Sequence, residues 1–431
     1  MATIAPSPAA TDTLELLERL FAGVEPDNFA VRLWDDTRWT PAGAGGEPAF
    51  TVVLNRPSAL RHVLLAGDEA ALAEAYLAGD LDIEGDIFAV PPVGRALVEH
   101  HRGLAGRARL ALRVRKLPHD DAEPGDLPAA ELHGQAHSIA RDREAVTHHY
   151  DVSNRFYALF LDPRMVYSCA AFRSPDEELE TAQLRKLDLI CRKLRIREGD
   201  RFLDIGCGWG ALIIHAARAY RAEALGITLS ERQAELARER IREAGLADRC
   251  TVEVRDYRTL DRDGFDRVAS VGMFEHVGRV RAADYFRTIH RLLRPGGAYL
   301  HHAITVNALQ PPVTGPTLSD RYVFPDHELI PIGQTLEFAE REGFGVRDVE
   351  NLREHYALTL RRWIASLEKN HDEAAAEAGE PTWRAWHLAF AGAAVGFETG
   401  ELGLLQAMLV KPHDDGNADV PLGRWDWYEQ G

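Results

Sequence analysis

The stretch RFLDIGCGWGALIIHAARAY, residues 201–220, decides the fold. RFLDIG is a short apolar run suited to a buried strand, and GALIIHAARAY repeats apolar residues at helical spacing. Between them lies the turn Asp204-Ile205-Gly206-Cys207-Gly208-Trp209-Gly210. Strand, glycine turn and helix in that order let a cofactor approach bare backbone at a helix N-terminus. Reading onward, AEALGIT is a second strand, and SERQAELARERIREAG is a helix opened by Ser230 and closed by Gly245. CTVEV, FDRVASV and AYLHHAI are further strands, the last preceded by a turn at Arg294–Gly297. Apolar runs alternating with amphipathic helices predict a doubly wound α/β sheet. Residues 306–325, with Pro311, Pro312, Pro316 and Pro325, form a long irregular link of the kind that builds lids or substrate walls. The region 354–398 is helical, and GLLQAMLV near the end supplies a last strand.

The turn restricts the cofactor. Its spacing departs from GxGxxG, and Gly226-Ile227-Thr228, after the second strand, offers no acid for a ribose hydroxyl, which disfavours NAD. S-adenosylmethionine is the alternative user of such a turn, with its amino-acid end on the glycines and its adenine bracketed by residues after later strands. Asp256 and Tyr257, just past CTVEV, suit the adenine, the carboxylate accepting its amino group and the ring stacking. Each has a plainer reading beside it: Ser230 with Gln233 also makes an S-x-x-Q capping box, and a lone tyrosine is ordinarily a packing residue. Asp204, two places before the first glycine, is the firmest member of the set.

At about 150 residues per domain, 431 residues divide into two or three domains. Residues 1–12 are a loose Ala/Pro/Ser tail, and 13–118 mix helical and alternating runs as a compact α+β domain. Residues 119–140, rich in Pro, Gly and acids, are the linker, and 141–431 form the larger domain. A net charge of −17 argues against nucleic acid as a partner. The four cysteines, Cys169, Cys191, Cys207 and Cys250, show no CxxC spacing, as expected of a reduced, cytoplasmic setting without a metal knuckle. The first residues lack a basic, then apolar, leader, and no segment approaches the roughly 20 apolar residues that span a bilayer. Any membrane contact is therefore peripheral. Its candidate lies between Arg95 and Leu117, where seven basic residues face a single acid, Glu99. At helical spacing Arg102, Arg109, Arg113 and Lys116 share a stripe beside Leu110, Val114 and Leu117, as in a helix lying on anionic headgroups.

Five further blocks surround the glycine turn: HHYDVSNRFYALFLDPRMVYSCAAF (148–172), SVGMFEHVG (270–278), LHHAIT (300–305), YVFP (322–325) and EHYALTLRRW (354–363). In this order they resemble the cyclopropane-fatty-acyl-phospholipid synthase family, which includes the mycolic acid cyclopropane synthases. The resemblance is close over 140–410. Over 15–118 it is weaker and matches the extra N-terminal domain of the long, phospholipid-acting members. It implies a Rossmann-like class I methyltransferase that moves a methyl group from S-adenosylmethionine to a double bond of a phospholipid acyl chain, with a bound bicarbonate as base. Carried over, the bicarbonate holders are Cys169 through its backbone, Glu275, His302, Ile304 and Tyr356. The cofactor contacts are Tyr167, Ser168, Gly206, Gly208, Thr228, Gln233 and Tyr257.

The chemistry suits these residue types. An alkene is a weak nucleophile, and its attack on a sulfonium methyl leaves a carbocation that water would quench, so the pocket must be dry. A base must then stand within reach of the departing proton. Loss from the added methyl closes a cyclopropane, and loss from a neighbouring chain carbon leaves a methylene branch, for instance a 10-methylene product from an oleoyl chain. Ala303, where Thr is usual in the family, and PDHELIPIGQ (325–334) depart from the commonest synthase pattern and leave both products open. Phe274 and Tyr167 are aromatic candidates for steadying positive charge. His301 and His276 are expected to point away from the site. Partners compatible with this reading are an unsaturated membrane phospholipid on the inner face, a second copy of the chain, and a reductase if the product is a methylene.

Overall fold

The structure, a computed structural model, describes residues 7–25, 28–66, 69–100, 117, 127, 129–130, 132–150, 152–310 and 317–428. The basic stripe at Arg102, Arg109, Arg113 and Lys116 lies outside the described residues. The chain forms two compact units. One comprises residues 1–129, 314–323 and 371–395, the other 130–313, 324–370 and 396–431.

The smaller unit contains a four-stranded sheet of β1 (Phe29–Arg32), β2 (Arg38–Trp39), β3 (Phe50–Leu54) and β4 (Leu81–Gly85), in the order β2-β1-β3-β4. Its first helix, Pro8–Leu20, begins inside the stretch read as a loose tail. Ser7 accepts the Ala10 N–H at 3.1 Å and proline occupies the first turn, so cap and fixed φ start the helix early. Residues 314–323 and 371–395, which the sequence places in the larger domain, group with this unit. Glu74 accepts from Arg321 at 2.5 Å and from the Tyr322 hydroxyl at 2.9 Å, and Tyr76 meets His387 at 3.1 Å.

The larger unit is built on seven strands: β5 (Arg201–Ile205), β6 (Glu223–Thr228), β7 (Cys250–Val254), β8 (Phe265–Val271), β9 (Leu293–Val306), β10 (Gly345–Asn351) and β11 (Leu402–Val410). Their order is β10-β11-β9-β8-β5-β6-β7, with β5 to β9 parallel and β11 antiparallel to both neighbours. Alternation along the strands feeds two cores. Phe202, Ala224, Val252 and Leu300 pack with Ile190, Ile213 and Ala237 of the helices Leu179–Leu194, Ala211–Ala219 and Glu231–Glu243. Leu203, Leu225, Val268 and Tyr299 pack on the opposite face with Tyr285, Phe286 and Ile289 of the helix Ala282–Leu292. Strand order reverses between β5 and β8, and the crevice at their C-terminal ends is where such sheets bind ligands.

Three local readings are corrected. Arg294–Gly297 is no turn, since β9 runs through it. Gly296 at φ +74°, and Gly297, whose Cβ would lie 2.8 Å from the Arg294 carbonyl oxygen, let the strand bend without ending. Second, the linker range ends inside structure: Ser138 accepts the Asp142 N–H and the helix Ile139–Tyr150 begins there. Third, the strand Gly345–Asn351 and the helices Leu179–Leu194 and Ile332–Arg341 were not expected.

Candidate active site

Asp204, Gly206 and Gly208 at the end of β5, Thr228 at the end of β6 and Gln233 on the helix after it border one cavity. Tyr167, Ser168, Asp256 and Tyr257 border the same cavity, so all nine residues proposed for the cofactor converge there. The glycines are what the turn requires: Gly206, Gly208 and Gly210 take φ of +83°, +53° and +84°, a region that side chains disfavour. A Cβ at Gly208 would meet no atom within 4 Å, so backbone lies open to a ligand there. Gly226 answers a different need, since its Cβ would fall 2.7 Å from the Cys207 sulfur.

The polar lining is set by burial. Asp204 is 3% exposed, its Oδ1 has no hydrogen-bond partner among the described residues, and burial pushes its carboxyl up to about 7. Lys186, buried on the helix Leu179–Leu194, donates to Ser168 Oγ at 2.7 Å, and burial lowers its ammonium to about 8. Ser230 accepts the Gln233 N–H at 3.3 Å, which is half of a capping box. The Gln233 side chain does not complete that box: its Oε1 accepts from Thr228 at 2.8 Å, on the cavity edge. An unpartnered acceptor at Asp204, open backbone at Gly208 and a ring at Tyr257 fit the amino-acid and adenine ends of S-adenosylmethionine.

Asp256 also has a partner within the chain. Its Oδ1 accepts from the Arg258 N–H and Nε, both at 2.8 Å, and its Oδ2 accepts from Arg258 Nη2 at 2.6 Å. The carboxylate expected to meet adenine borders the cavity and is also held by the arginine two residues on. Arg258 also donates to Asp142 Oδ2 at 2.8 Å and to the His137 carbonyl at 3.2 Å, tying the start of the helix Ile139–Tyr150 to the cavity.

The second group forms around β9. Glu275 follows β8 in a short 3-10 turn, Phe274–His276, and its Oε1 accepts the Ile304 N–H at 2.6 Å. Glu275 Oε2 and His302 Nε2 are buried and have no hydrogen-bond partner among the described residues. Burial pushes the Glu275 carboxyl up to about 7 and holds the His302 imidazole well below its ordinary value. Tyr356, on the helix Arg353–Lys369, stacks on Phe397 with ring centroids 4.7 Å apart. Burial raises its hydroxyl, and a further rise comes from Cys169, Glu275 and Tyr150. Cys169 is 1% exposed and burial raises its thiol, so it is no thiolate nucleophile. An orphaned acceptor and an orphaned imidazole nitrogen fit a small oxyanion that both donates and accepts.

Aromatic rings pack near Tyr356, with the Trp363 centroid 6.1 Å from its own. Tyr167 stacks on Trp363 with centroids 5.1 Å apart, and Tyr157 lies 4.9 Å from Trp209. His301 faces away from His302, bonding the Tyr299 hydroxyl at 2.8 Å, as expected. His276 does not behave as expected, since it borders the cofactor cavity. Lys186, Arg258, Asp142, Tyr150 and Trp209 border it too and were not singled out in the sequence.

A parallel sheet closed by an antiparallel strand, with a glycine turn after β5 and a cavity at the strand ends, defines an S-adenosylmethionine-dependent methyltransferase. The model of the family described as "Mycolic acid cyclopropane synthetase" matches residues 137–407, and a domain of unknown function matches 16–91. A "Probable fatty acid methyltransferase" of Pseudomonas putida is 40% identical over 402 residues, covering 92% of this chain and 95% of the relative. The structure of the cyclopropane synthase MmaA2 from Mycobacterium tuberculosis superposes with a TM-score of 0.60 at 34% identity, covering 62% of this chain and 98% of that one. The mycolic acid cyclopropane synthase CmaA1 complexed with SAH and CTAB gives 0.58 at 33% identity, covering 62% and 97%. The chain belongs to the mycolic acid cyclopropane synthetase family and is a methyltransferase of the cyclopropane-synthase type.

Proposed function

We propose that this protein methylates the double bond of an unsaturated phospholipid acyl chain and releases a cyclopropane fatty acyl phospholipid. Methylation of acyl chains is the activity its relatives support. The observation that carries the finer reading is the pair of buried polar atoms without a hydrogen-bond partner among the described residues, Glu275 Oε2 and His302 Nε2. S-adenosylmethionine would supply an electrophilic methyl, held by Asp204, Gly206, Gly208, Thr228, Gln233, Tyr167, Ser168, Asp256 and Tyr257. Bicarbonate supplies a small base, held by Glu275, His302, Tyr356 and the backbone of Cys169 and Ile304. Glu275 would accept its O–H, and the ring of Tyr167 would exclude water and favour positive charge on the chain; Phe274, the other aromatic candidate, instead packs on Tyr285, Phe286 and His301, on the side away from His302.

No helix among the described residues is long and apolar enough to cross a membrane. We assign lipid contact to the N-terminal domain, residues 13–118, with the stripe Arg102, Arg109, Arg113 and Lys116 meeting anionic headgroups. Two measurements test the proposal. Mass spectrometry of phospholipids from an oleate-containing host expressing the protein should show a gain of one CH2 that resists mild hydrogenation, as a ring does; an exo-methylene would be reduced and would assign the methylene product. Sedimentation with anionic vesicles should be lost on charge reversal of Arg109, Arg113 and Lys116, and unchanged binding removes the docking role.

A further inference from the structure

His302 and Gln406 stand directly opposite each other on the antiparallel strands β9 and β11. Gln406 Nε2 lies 3.1 Å from His302 Nδ1, and Gln406 Oε1 lies 2.5 Å from Lys193 Nζ. Lys193 is 1% exposed, paired with Glu350 on β10, and lies 5.6 Å from the Trp427 ring. The Tyr428 hydroxyl donates to the same Glu350 carboxylate at 3.2 Å. A chain of polar groups thus runs from Glu350 inward to His302.

Its direction follows from what each group can do. An ammonium has only donors, so the Gln406 atom facing Lys193 is the carbonyl oxygen. The other end of that amide is NH2, also only a donor. His302 Nδ1 must therefore accept and carries no proton. Burial, with the nearby positive charge of Lys186 and Lys193, keeps the imidazole neutral, and a neutral ring with a bare Nδ1 has its proton on Nε2.

We propose that Lys193 and Gln406 are positioning residues that hold His302 as the Nε2–H tautomer, so that His302 meets the reaction as a hydrogen-bond donor and never as its base. The inference rests on reading the space beside Glu275 and His302 as an anion site. His302 Nε2, buried and without a partner among the described residues, then presents an N–H that an oxyanion satisfies. Because that nitrogen already holds its proton, the proton leaving the alkylated chain goes to an oxygen of the bound anion.

Nitrogen-detected NMR of the full-length protein labelled at histidine tests this, with the His302 signal identified as the one lost in His302→Gln. The wild type should show neutral His302 with its proton on Nε2; a proton on Nδ1, or on both nitrogens, overturns the proposal. In Gln406→Glu the new carboxylate accepts from both neighbours, and the proton should appear on Nδ1. The bicarbonate concentration for half-maximal rate should then rise about ten-fold or more, in line with the loss of an orienting partner behind a ligand, while KM for S-adenosylmethionine is unchanged. Equal changes in both constants, or in neither, count against the positioning role. If the wild type carries Nε2–H but bicarbonate moves neither its signal nor the rate, the positioning stands and the anion reading falls.

Discussion

Glu275 Oε1 accepts the backbone N–H of Ile304 at 2.6 Å. Strand β8 ends at Val271, and the Gly272 N–H makes the last bond to β9, at the His302 carbonyl. Ile304, two residues further along β9, has no strand beside it on that edge, and a carboxylate takes the place of the missing carbonyl. The interaction fixes one oxygen of Glu275 and leaves the other unpartnered beside the strand that carries His302.

The first prediction concerns pH. Burial raises the Glu275 carboxyl from 4.5 to about 7, so the folded protein binds this proton more tightly than the unfolded chain does. Its contribution is therefore fully present below about pH 4.5 and lost as pH rises through about 7, a change on the order of 3 kcal/mol. Glu275→Gln should remove this slope while keeping an oxygen for the Ile304 N–H. Urea unfolding of both proteins between those pH values, without bicarbonate, reads the difference; parallel curves would refute the assignment.

A second prediction concerns Arg258, which joins Asp256 beside the cavity to Asp142 on the helix Ile139–Tyr150. Arg258→Met leaves two carboxylates facing each other without their shared cation, and burial already raises Asp142. Losing hydrogen bonds to charged groups costs about 1.5 to 3 kcal/mol each. S-adenosylhomocysteine should bind at least ten-fold more weakly by calorimetry, with kcat at saturating cofactor changed far less. Unaltered affinity would mean the helix is held by other contacts.

The doubly wound sheet was legible because its inner strands are apolar runs between helices of clear periodicity. β10 was not: GVRDVEN is an edge strand in which Arg347, Val349 and Asn351 are exposed and no position is fully buried, so its sequence lacks the apolar run of the inner strands. His276 borders the cavity against expectation because Phe274–His276 is a 3-10 turn, where side chains do not alternate between two faces as they do along a strand. Asp256 was assigned by position alone, and position does not show that Arg258 folds back onto it. Seven of the nine cofactor residues converge because they stand at or just past the ends of β5, β6 and β7, while Tyr167 and Ser168 come from the chain before β5. Lys193 and Gln406, 213 positions apart, are joined only by the sheet register, and a lysine in an amphipathic helix reads as solvated.

Gly226 gives a third test. A Cβ there would lie 2.7 Å from the Cys207 sulfur and 2.8 Å from Ile213 Cδ1, so Gly226→Ala must push β6 away from the glycine turn or displace that turn. Overpacking of this kind costs about 1–3 kcal/mol. The melting temperature should fall and cofactor affinity with it. Gly245→Ala, where a Cβ meets nothing but φ is +67°, should lower stability through strain and leave cofactor affinity intact.

The last prediction separates charge from packing at Lys186. Its ammonium bonds Ser168 at 2.7 Å, and its charge lowers the carboxyl of Asp204 against the effect of burial. Lys186→Met keeps the length of the side chain and removes that charge, so Asp204 should hold its proton to higher pH and bind the cationic end of the cofactor more weakly. S-adenosylmethionine affinity at neutral pH should fall about ten-fold and recover as pH rises, since each such interaction shifts a pKa by roughly a unit or more. In Asp204→Asn the same lysine change should have little further effect on affinity. A pH-independent loss, or additive effects in the double variant, would show that Lys186 acts only by packing and by holding Ser168 in place.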